Sequence, residues 1–377
     1  MFKITMYKAD NGDCISIQTE NTFVLIDGGT AQSFDTWKEN IVGQFEKIDL
    51  LIITHIDNDH TNGIIKLLEA EGCPEIEQVY FNGVEQLFSE LDDTDKSDRR
   101  VDIKLNALAN ECIPSSDKEN IGYSEGASLS YILNKQSLKC NELISGQAIF
   151  IENTKNFDIG ALKFEVIGPD SATLSELKNN WQYKLDERGI RPKIINKSFA
   201  NSFEAYIQSF ENSTAHTTLI SSVKVNSIES LANEPFVPDS SLTNKSSFSF
   251  LIEHNHKRIL YLGDCHAETV ISWLDNNQID KIKVDAVKIS HHGSRNNTSL
   301  ALLERIDCQE YLISTNGKSH GHPHLETLAR IAVINQHTKT NIYFNYDLKN
   351  IPTWFTHELY ESYENINLCM DTGEVEL

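Results

Sequence analysis

The sequence has no uninterrupted apolar run of about 18 residues, so nothing in it reads as a membrane-spanning helix. Residues 1–30 hold no basic start followed by an apolar core, and no secretory signal is expected there. No Cys-x-x-Cys pair occurs. The seven cysteines (Cys14, Cys73, Cys112, Cys140, Cys265, Cys308 and Cys369) are scattered and odd in number. That pattern argues against a disulfide framework or a thiolate zinc knuckle and fits reduced thiols in a cytoplasmic protein. Positive charge is also scarce: 33 Lys and Arg against 55 Asp and Glu give a net charge of −22 and a pI of about 5.0. Such a surface repels polyanions and argues against tight non-specific binding of nucleic acid. A nuclease stays open, because bound divalent cations or a local basic patch reverse the field at a site. No internal repeat is visible.

What is present is ordinary globular composition, 40% hydrophobic and 23% charged, over 377 residues. The most informative stretch is Thr54-His55-Ile56-Asp57-Asn58-Asp59-His60-Thr61. It follows Leu50-Leu51-Ile52-Ile53, which reads as a buried strand. A cluster of imidazoles and carboxylates at a strand end suits zinc, manganese or iron on a rigid scaffold. A polar turn with capping aspartates is the plainer alternative for a single His-x-Asp, but His-x-Asp-x-Asp-His favours a metal.

This pattern resembles the metallo-β-lactamase-fold hydrolases, whose signature is His-x-His-x-Asp-His. With Asp57 in place of the second His, it is similar to the branch of the hydrolase domain of the DNA-uptake channel protein ComEC. Four further motifs follow in that family's order. Gly12-Asp13 with Leu25-Ile26-Asp27-Gly28-Gly29 resembles the amino-terminal strands, where the resemblance implies that Asp27 supports the metal site from behind its ligands. A hairpin over 246–262 ends in Gly263-Asp264, preceded by Asn244 and Ser247 in an Asn-x-x-Ser pattern. Lys288-Ile289-Ser290-His291-His292-Gly293-Ser294 resembles Lys-x-x-His-His-Gly-Ser, and Gly321-His322-Pro323-His324 resembles Gly-His-Pro-His.

The resemblance implies an α/β, four-layer αβ/βα sandwich, here one domain over 1–377 with insertions at about 85–145 and 170–243. It implies two divalent cations. His55, Asp57 and Asp264 would hold one; Asp59, His60, Asp264 and His291 would hold the other, with Asp264 bridging. Of the two adjacent histidines His291 is the first choice as ligand. Asp59 alternatively orients the water. His292, His322 or His324 would protonate the leaving oxygen or contact substrate phosphate, and a further coordinating His among them stays open. Two departures matter: Asp57 stands where most of the superfamily has His, and no Gly-His motif lies between the two halves. The more oxygen-rich set makes manganese or iron as suitable as zinc. The implied activity is hydrolysis of a phosphodiester by a metal-activated water, without a channel and with no membrane segment. Rivals are a hydrolase of a carboxylic ester, lactone or β-lactam, an oxygen- or sulfur-handling iron enzyme, and a catalytically silent binding module. Protein partners through the insertions, and the oligomeric state, stay open.

Elsewhere, strands are expected at 2–8, 14–19, 22–29, 78–81, 148–151, 162–169, 286–290, 311–314 and 341–346. Helices are expected at 33–47, 62–71, 84–91, 99–111, 125–135 and 325–335, and 170–243 reads as largely irregular. Lys184, Arg188, Arg191, Lys193 and Lys197 form a basic cluster near Phe199, Phe203, Tyr206 and Phe210. It is either a nucleic-acid patch or, the preferred reading, a solvated helix face over core aromatics. His216, His254, His256, His266, His337 and His357 match no motif and read as structural or exposed.

Overall fold

A computed structural model describes residues 1–92, 98–112, 128–210 and 227–377. Residues 93–97 of the charged stretch, the start of the helix expected at 125–135, and His216 lie outside them. The main strands are β1 (Lys3–Met6), β2 (Ile15–Gln18), β3 (Phe23–Ile26), β4 (Leu50–Ile52), β5 (Val79–Tyr80), β6 (Asn156–Ile159) and β7 (Leu162–Gly168). They continue with β8 (Ser249–His254), β9 (Lys257–Tyr261), β10 (Ala286–Lys288), β11 (Glu310–Ile313), β12 (Thr340–Phe344), β13 (Ile366–Cys369) and β14 (Glu374–Glu376). One 6-stranded sheet has the order β14-β1-β2-β3-β4-β5, and one 8-stranded sheet the order β13-β12-β11-β10-β9-β8-β7-β6. β3, β4 and β5 are mutually parallel, as are β9 to β13; the other neighbours are antiparallel.

Alternation along each strand builds the layers. On β3, Val24 and Ile26 point into the core between the sheets, with Ile15, Ile17, Phe250, Tyr261 and Leu312. Leu25 points the other way, onto Ile64 and Leu67 of the helix Asn58–Glu69. In the second sheet Leu260 meets Val270, Trp273 and Leu274 of the helix Ala267–Asn276, and Leu328 and Ile331 of the helix Leu325–Ile334. The result is helix, sheet, sheet, helix: the four-layer α/β sandwich expected. Each fully buried Leu or Ile adds about 1.5–3 kcal/mol before conformational entropy is charged against it. No helix among the described residues is long and apolar enough to cross a membrane.

Several elements differ from expectation. The helix at 33–47 is one α-turn, Phe34–Trp37, and a 3-10 turn, Lys38–Asn40. Gly43, at φ +79°, takes the chain out of helix, while Trp37 and Ile41 still anchor the core. Residues 148–151 are not a strand, because the Asn82 side chain, not a neighbouring strand, pairs with Ile149 N and O at 2.8 and 2.7 Å. Residues 170–243 are far more helical than expected, with helices Ser171–Glu187 and Lys197–Gln208. Asp170 and Asn196 cap them, accepting from Thr173 N at 2.7 Å and Phe199 N at 3.0 Å. Polar residues outside the stripe Leu174, Leu177, Trp181 and Leu185 hid the period.

Two members of the basic cluster pair with carboxylates and a third lies over a ring. Arg188 makes a two-pronged pair with Glu111 at 3.0 and 2.6 Å, Lys184 lies 3.5 Å from Glu187, and the Lys197 ammonium sits 5.2 Å over the Tyr131 ring. Phe199 and Phe203 are buried edge-on against Trp181.

Buried Glu204 ties the helix Lys197–Gln208 to residues 128–130. Its carboxylate accepts from Ser128 Oγ (2.6 Å), Leu129 N (2.8 Å) and Ser130 N (3.0 Å), covering the start of the helix Leu129–Lys135. Glu204→Ala leaves those buried donors unsatisfied and should cost roughly 1–3 kcal/mol. Urea unfolding checks this; an unchanged midpoint would show that the contact carries no stability.

Candidate metal centre

The carboxyl ends of β4, β9 and β10 and the loop after β11 open on one edge of the sandwich. Each delivers polar side chains there, as open α/β sheets do. After β4 the chain runs through Thr54 and His55 to Asp57, whose extended backbone and side chain cap the helix Asn58–Glu69 by accepting from Asn58 N at 2.6 Å. The helix starts four residues before the expected position, so Asp59 and His60 stand in its first turn. Two glycines allow this helix to lie against backbone. A Cβ on Gly12 would sit 1.7 Å from Asp59 O, and one on Gly63 would sit 1.8 Å from Gly28 O.

Three imidazoles share one arrangement. Asp27 accepts from Thr54 N (2.8 Å), Thr54 Oγ1 (2.7 Å) and His60 Nδ1 (2.8 Å). With its proton given to Asp27, Thr54 Oγ1 accepts from His55 Nδ1 at 3.0 Å. Ser314 O accepts from His292 Nδ1 at 3.0 Å. The partners assign the proton to Nδ1 in each ring and leave the Nε2 atoms as the inward-facing nitrogens. All three Nε2 atoms are buried without a hydrogen-bond partner.

These nitrogens converge on carboxylates. His60 Nε2 lies 3.3 Å from Asp264 Oδ2 and 3.7 Å from Asp59 Oδ1; His292 Nε2 lies 3.6 Å from both Asp59 Oδ2 and Asp264 Oδ2. His55 Nε2 is 4.0 Å from Asp57 Oδ2. Besides Asp13/Asp27/His60, two overlapping groups, His55/His60/Asp264 and Asp59/His60/His292, have donor atoms within 4.8 Å of one another. His291, the first choice from sequence, is in neither group: its Nδ1 turns to Asn297 Oδ1 at 3.1 Å, and His292 occupies the inner position. His322 and His324 form a row outward from His291, with ring centres 4.9 Å (His291–His322) and 4.8 Å (His322–His324) apart.

Asp13 and Lys288 join the site without having been singled out for a role there. Both are fully buried; the Lys288 ammonium pairs with Asp13 Oδ2, donates to Gly263 O at 3.0 Å and lies 3.7 Å from Asp264 Oδ1. Asp13 Oδ1 is 3.4 Å from His292 Nδ1. The Gly12-Asp13 pair and the Lys of the Lys-x-x-His-His run were visible in the sequence, but nothing local said that they meet.

The electrostatics are those of an acidic cage. Burial would raise the Asp264 carboxyl, but His60, His292 and His291 hold it well below the usual range. Burial would likewise raise Asp13, and the Lys288 ammonium holds it well below. Burial would lower His60, but the Asp264 and Asp27 carboxylates hold it well above 6.5. His55 and His322 are pushed well down by burial, and His324 to about 4 by burial and Arg295. Asp27, His291 and His292 adopt left-handed backbone at φ 59°, 47° and 53°. Such strain costs roughly 1–3 kcal/mol per residue and concentrates at functional sites.

Residues 7–79 match the family model described as the metallo-beta-lactamase superfamily. The chain has the metallo-β-lactamase fold. The match covers β2, β3, β4 and the His55–His60 segment; β1, β14, the second sheet and Asp264 lie beyond it. No curated protein matches the chain. Solved structures of similar fold include the metallo-beta-lactamase fold protein YhfI from Bacillus subtilis, at 9% identity over 100% of both chains with a TM-score of 0.37. They also include a diphosphatase of the PhnP family (10% identity, 100% of this chain and 98% of that one, TM-score 0.39). A third is Zn(2+)-bound PqqB from Methylobacterium extorquens (10%, 100% of both chains, TM-score 0.38). At identities and scores this low the likenesses carry no argument about function.

Lys288→Met would strand the Asp13 carboxylate in the core of this fold. Removing one partner of a buried pair costs about 3–5 kcal/mol. Replacing both in Asp13→Leu/Lys288→Met should recover much of that loss in urea unfolding. A single variant as stable as the wild type would mean that the Asp13 charge is compensated elsewhere.

Proposed function

We propose that the chain is a metal-dependent hydrolase with a dinuclear centre, acting on phosphodiesters. The observation that carries the reading is the trio of buried Nε2 atoms of His55, His60 and His292, each ring tied at Nδ1 and none with a hydrogen-bond partner at Nε2. Orphaned buried nitrogens are costly unless something occupies them. An imidazole bonded at Nδ1 with Nε2 presented among carboxylates is the arrangement of metal ligands held from behind. The residues fit divalent cations.

In this reading His55, Asp57 and Asp264 hold one ion. Asp59, His60, Asp264 and His292 hold the second, His292 taking the place first given to His291. The mixed imidazole and carboxylate set accepts zinc, manganese or iron. Bound divalent cations supply Lewis acidity, polarising the electrophile and lowering the pKa of water toward about 7. The chain's own residues do the rest. Asp27, Thr54 and Ser314 fix the ring orientations. Lys288 balances Asp13 and Asp264, so that the cage tolerates its carboxylates when folded. His291, His322 and His324 line the rim as hydrogen-bonding groups for a substrate oxygen and for the leaving group.

The phosphodiester part rests on the resemblance to ComEC-like nuclease domains and on this imidazole rim. The net charge of −22 and the ion-paired basic cluster favour a short or cyclic nucleotide over long DNA. The reading takes 1–377 as one domain whose helical insertions border the site. An ester, lactone or β-lactam substrate is the rival on the same centre, and a silent binding module the rival without turnover.

Elemental mass spectrometry on protein purified without a metal-affinity tag should find about two equivalents of metal. Asp264→Ala should lose both ions and Asp59→Ala at least one. The metal-loaded wild type should cleave bis(p-nitrophenyl) phosphate, and both variants should fall by about 10- to 100-fold or more. No metal bound, and none taken up on loading, would sink the hydrolase. Metal uptake with turnover of a lactone but no phosphodiester would replace the substrate class alone.

A further inference from the structure

Arg295 has no part in holding the cations, yet bonds to both sides of its backbone mount it on the rim of the centre. It lies three residues past His292. Its backbone N donates to His324 Nδ1 at 3.2 Å, and its backbone O accepts from Arg330 Nη1 at 2.8 Å. Arg330 is buried, and the same nitrogen donates to Thr298 O at 2.7 Å. In return His324 N donates to Gly293 O at 3.1 Å. Pro323 packs on Gly293 so closely that an added Cβ would come within 2.7 Å of Pro323 Cβ. The Gly-His-Pro-His loop and the loop after β10 are thereby zipped into one rim. Asn297 Nδ2 ties that rim to the end of β9 by donating to Asp264 O at 3.2 Å.

The Arg295 guanidinium is held by one nitrogen. Nη1 donates to Glu326 Oε1 at 2.6 Å, while the side chain stays about half exposed and the rest of the fork meets no other acceptor among the described residues. A guanidinium carries five N–H donors in one plane, so a single bond to a carboxylate leaves an edge for a second anion. His324 adds a donor beside it. A backbone N–H only donates, so Nδ1 accepts from Arg295 and carries no proton. Turning the ring over would set a C–H against that N–H. Burial and Arg295 push the ring down to about 4, so at neutral pH it is uncharged and its one proton sits on Nε2. That nitrogen is turned toward Gly321, whose missing side chain leaves room beside it; a Cβ there would lie 3.9 Å away.

We infer that Arg295 and His324 form an anion subsite on the rim, which takes a second charged group of the substrate: a terminal phosphate on a short nucleotide, next to the phosphodiester that is cleaved. The inference rests on the phosphodiester reading for the bond that is cut, but the donor pair does not depend on the cations. The His324 ring stands two rings out from His292 by way of His322, with successive ring centres 6.1 and 4.8 Å apart. That is a step outward from the ligands, so the group bound there is not the one whose ester is cut. In a chain of net charge −22 the general surface repels an anion, and a local pair of donors is what holds one. The pair also sorts substrates. A diester with no further charge leaves Arg295 idle, whereas a terminal phosphate meets the planar fork in two parallel bonds, a fit that an ammonium does not reproduce. Arg295 and His324 are then specificity-determining residues, with Glu326 and Arg330 positioning the arginine.

The test compares the dinucleotides TpT, pTpT and TpTp on the full-length, metal-loaded protein. The wild type should favour at least one phosphorylated form over TpT by about 10- to 100-fold in kcat/KM. Arg295→Met should lower that preference about tenfold or more at wild-type metal content. Arg295→Lys keeps the charge but not the fork and should lose part of the preference, which serves where the methionine variant does not purify. A wild type that cuts all three alike, or a preference untouched by Arg295→Met, overturns the subsite. Loss of metal in Arg295→Met makes the arginine a support of the centre and overturns its role toward substrate. Titration calorimetry of the same dinucleotides into metal-loaded and metal-free protein reads the subsite without turnover. A phosphorylated form should bind more tightly than TpT to the wild type and lose that advantage in Arg295→Met. If the wild type takes up no metal and cuts none of the three, the hydrolase reading fails and the calorimetry alone decides; equal binding of all three then overturns the subsite.

Discussion

The Asp27 carboxylate is the interaction on which the rest of the site depends. It sits one residue past β3, in left-handed backbone, and accepts from the backbone and hydroxyl of Thr54 and from His60 Nδ1. Three donors on one buried carboxylate join three elements: the end of β3, the chain leaving β4, and the first turn of the helix Asn58–Glu69. Thr54 passes the constraint on, since its hydroxyl can accept from His55 only because its proton is given to Asp27. One carboxylate thus fixes the ring planes of two imidazoles from opposite directions. The backbone contacts at Gly12 and Gly63 keep the helix close enough for this to work.

A second constraint is charge. Asp13, Asp27, Asp57 and Asp264 are all buried within one region, which water cannot screen. Lys288 offsets part of this, and the elevated His60 shows where the rest is felt: a proton is drawn to the nitrogen that faces Asp264. A proton on His60 and a cation at its Nε2 answer the same demand and compete for it, which is the physical sense in which the cage is matched to metal. A fold that kept these carboxylates with nothing to neutralise them would bear the cost of burying them for no return.

Much of this was legible in the sequence, and the reason is locality. His55, Asp57, Asp59 and His60 lie within one short run after a strand; Asp264, His291 and His292 each follow a strand directly. Strand ends are where open sheets present side chains, so pattern alone placed these residues on one edge. Layer order was legible only through the resemblance, because β3 is buried on both faces and β8 nearly so, which leaves no alternation to read. What escaped were contacts between distant segments. Asp13 and Lys288 are 275 residues apart in the chain, and neither stretch signals the other. The helix Ser171–Glu187 was lost under a polar surface, and the strand expected at 148–151 is replaced by an asparagine side chain imitating a strand partner. The choice between His291 and His292 could not be made from an adjacent pair, because it is set by which ring reaches Ser314 O and which reaches Asn297.

The two neighbouring histidines are held from different parts of the chain. Two neighbouring histidines in left-handed backbone project to different sides of the loop. His292 is tied from behind by the carbonyl after β11, an element of the sandwich itself. His291 is tied through Asn297 to the Asp239 carboxylate on the segment before β8, which also lies 3.7 Å from its Nδ1. The inner ring is thus fixed by the loop after β11 and the outer ring by the segment before β8. The outer tie also reaches the centre, because Asp239 Oδ2 and Asp264 O each accept one of the two Nδ2 protons of Asn297.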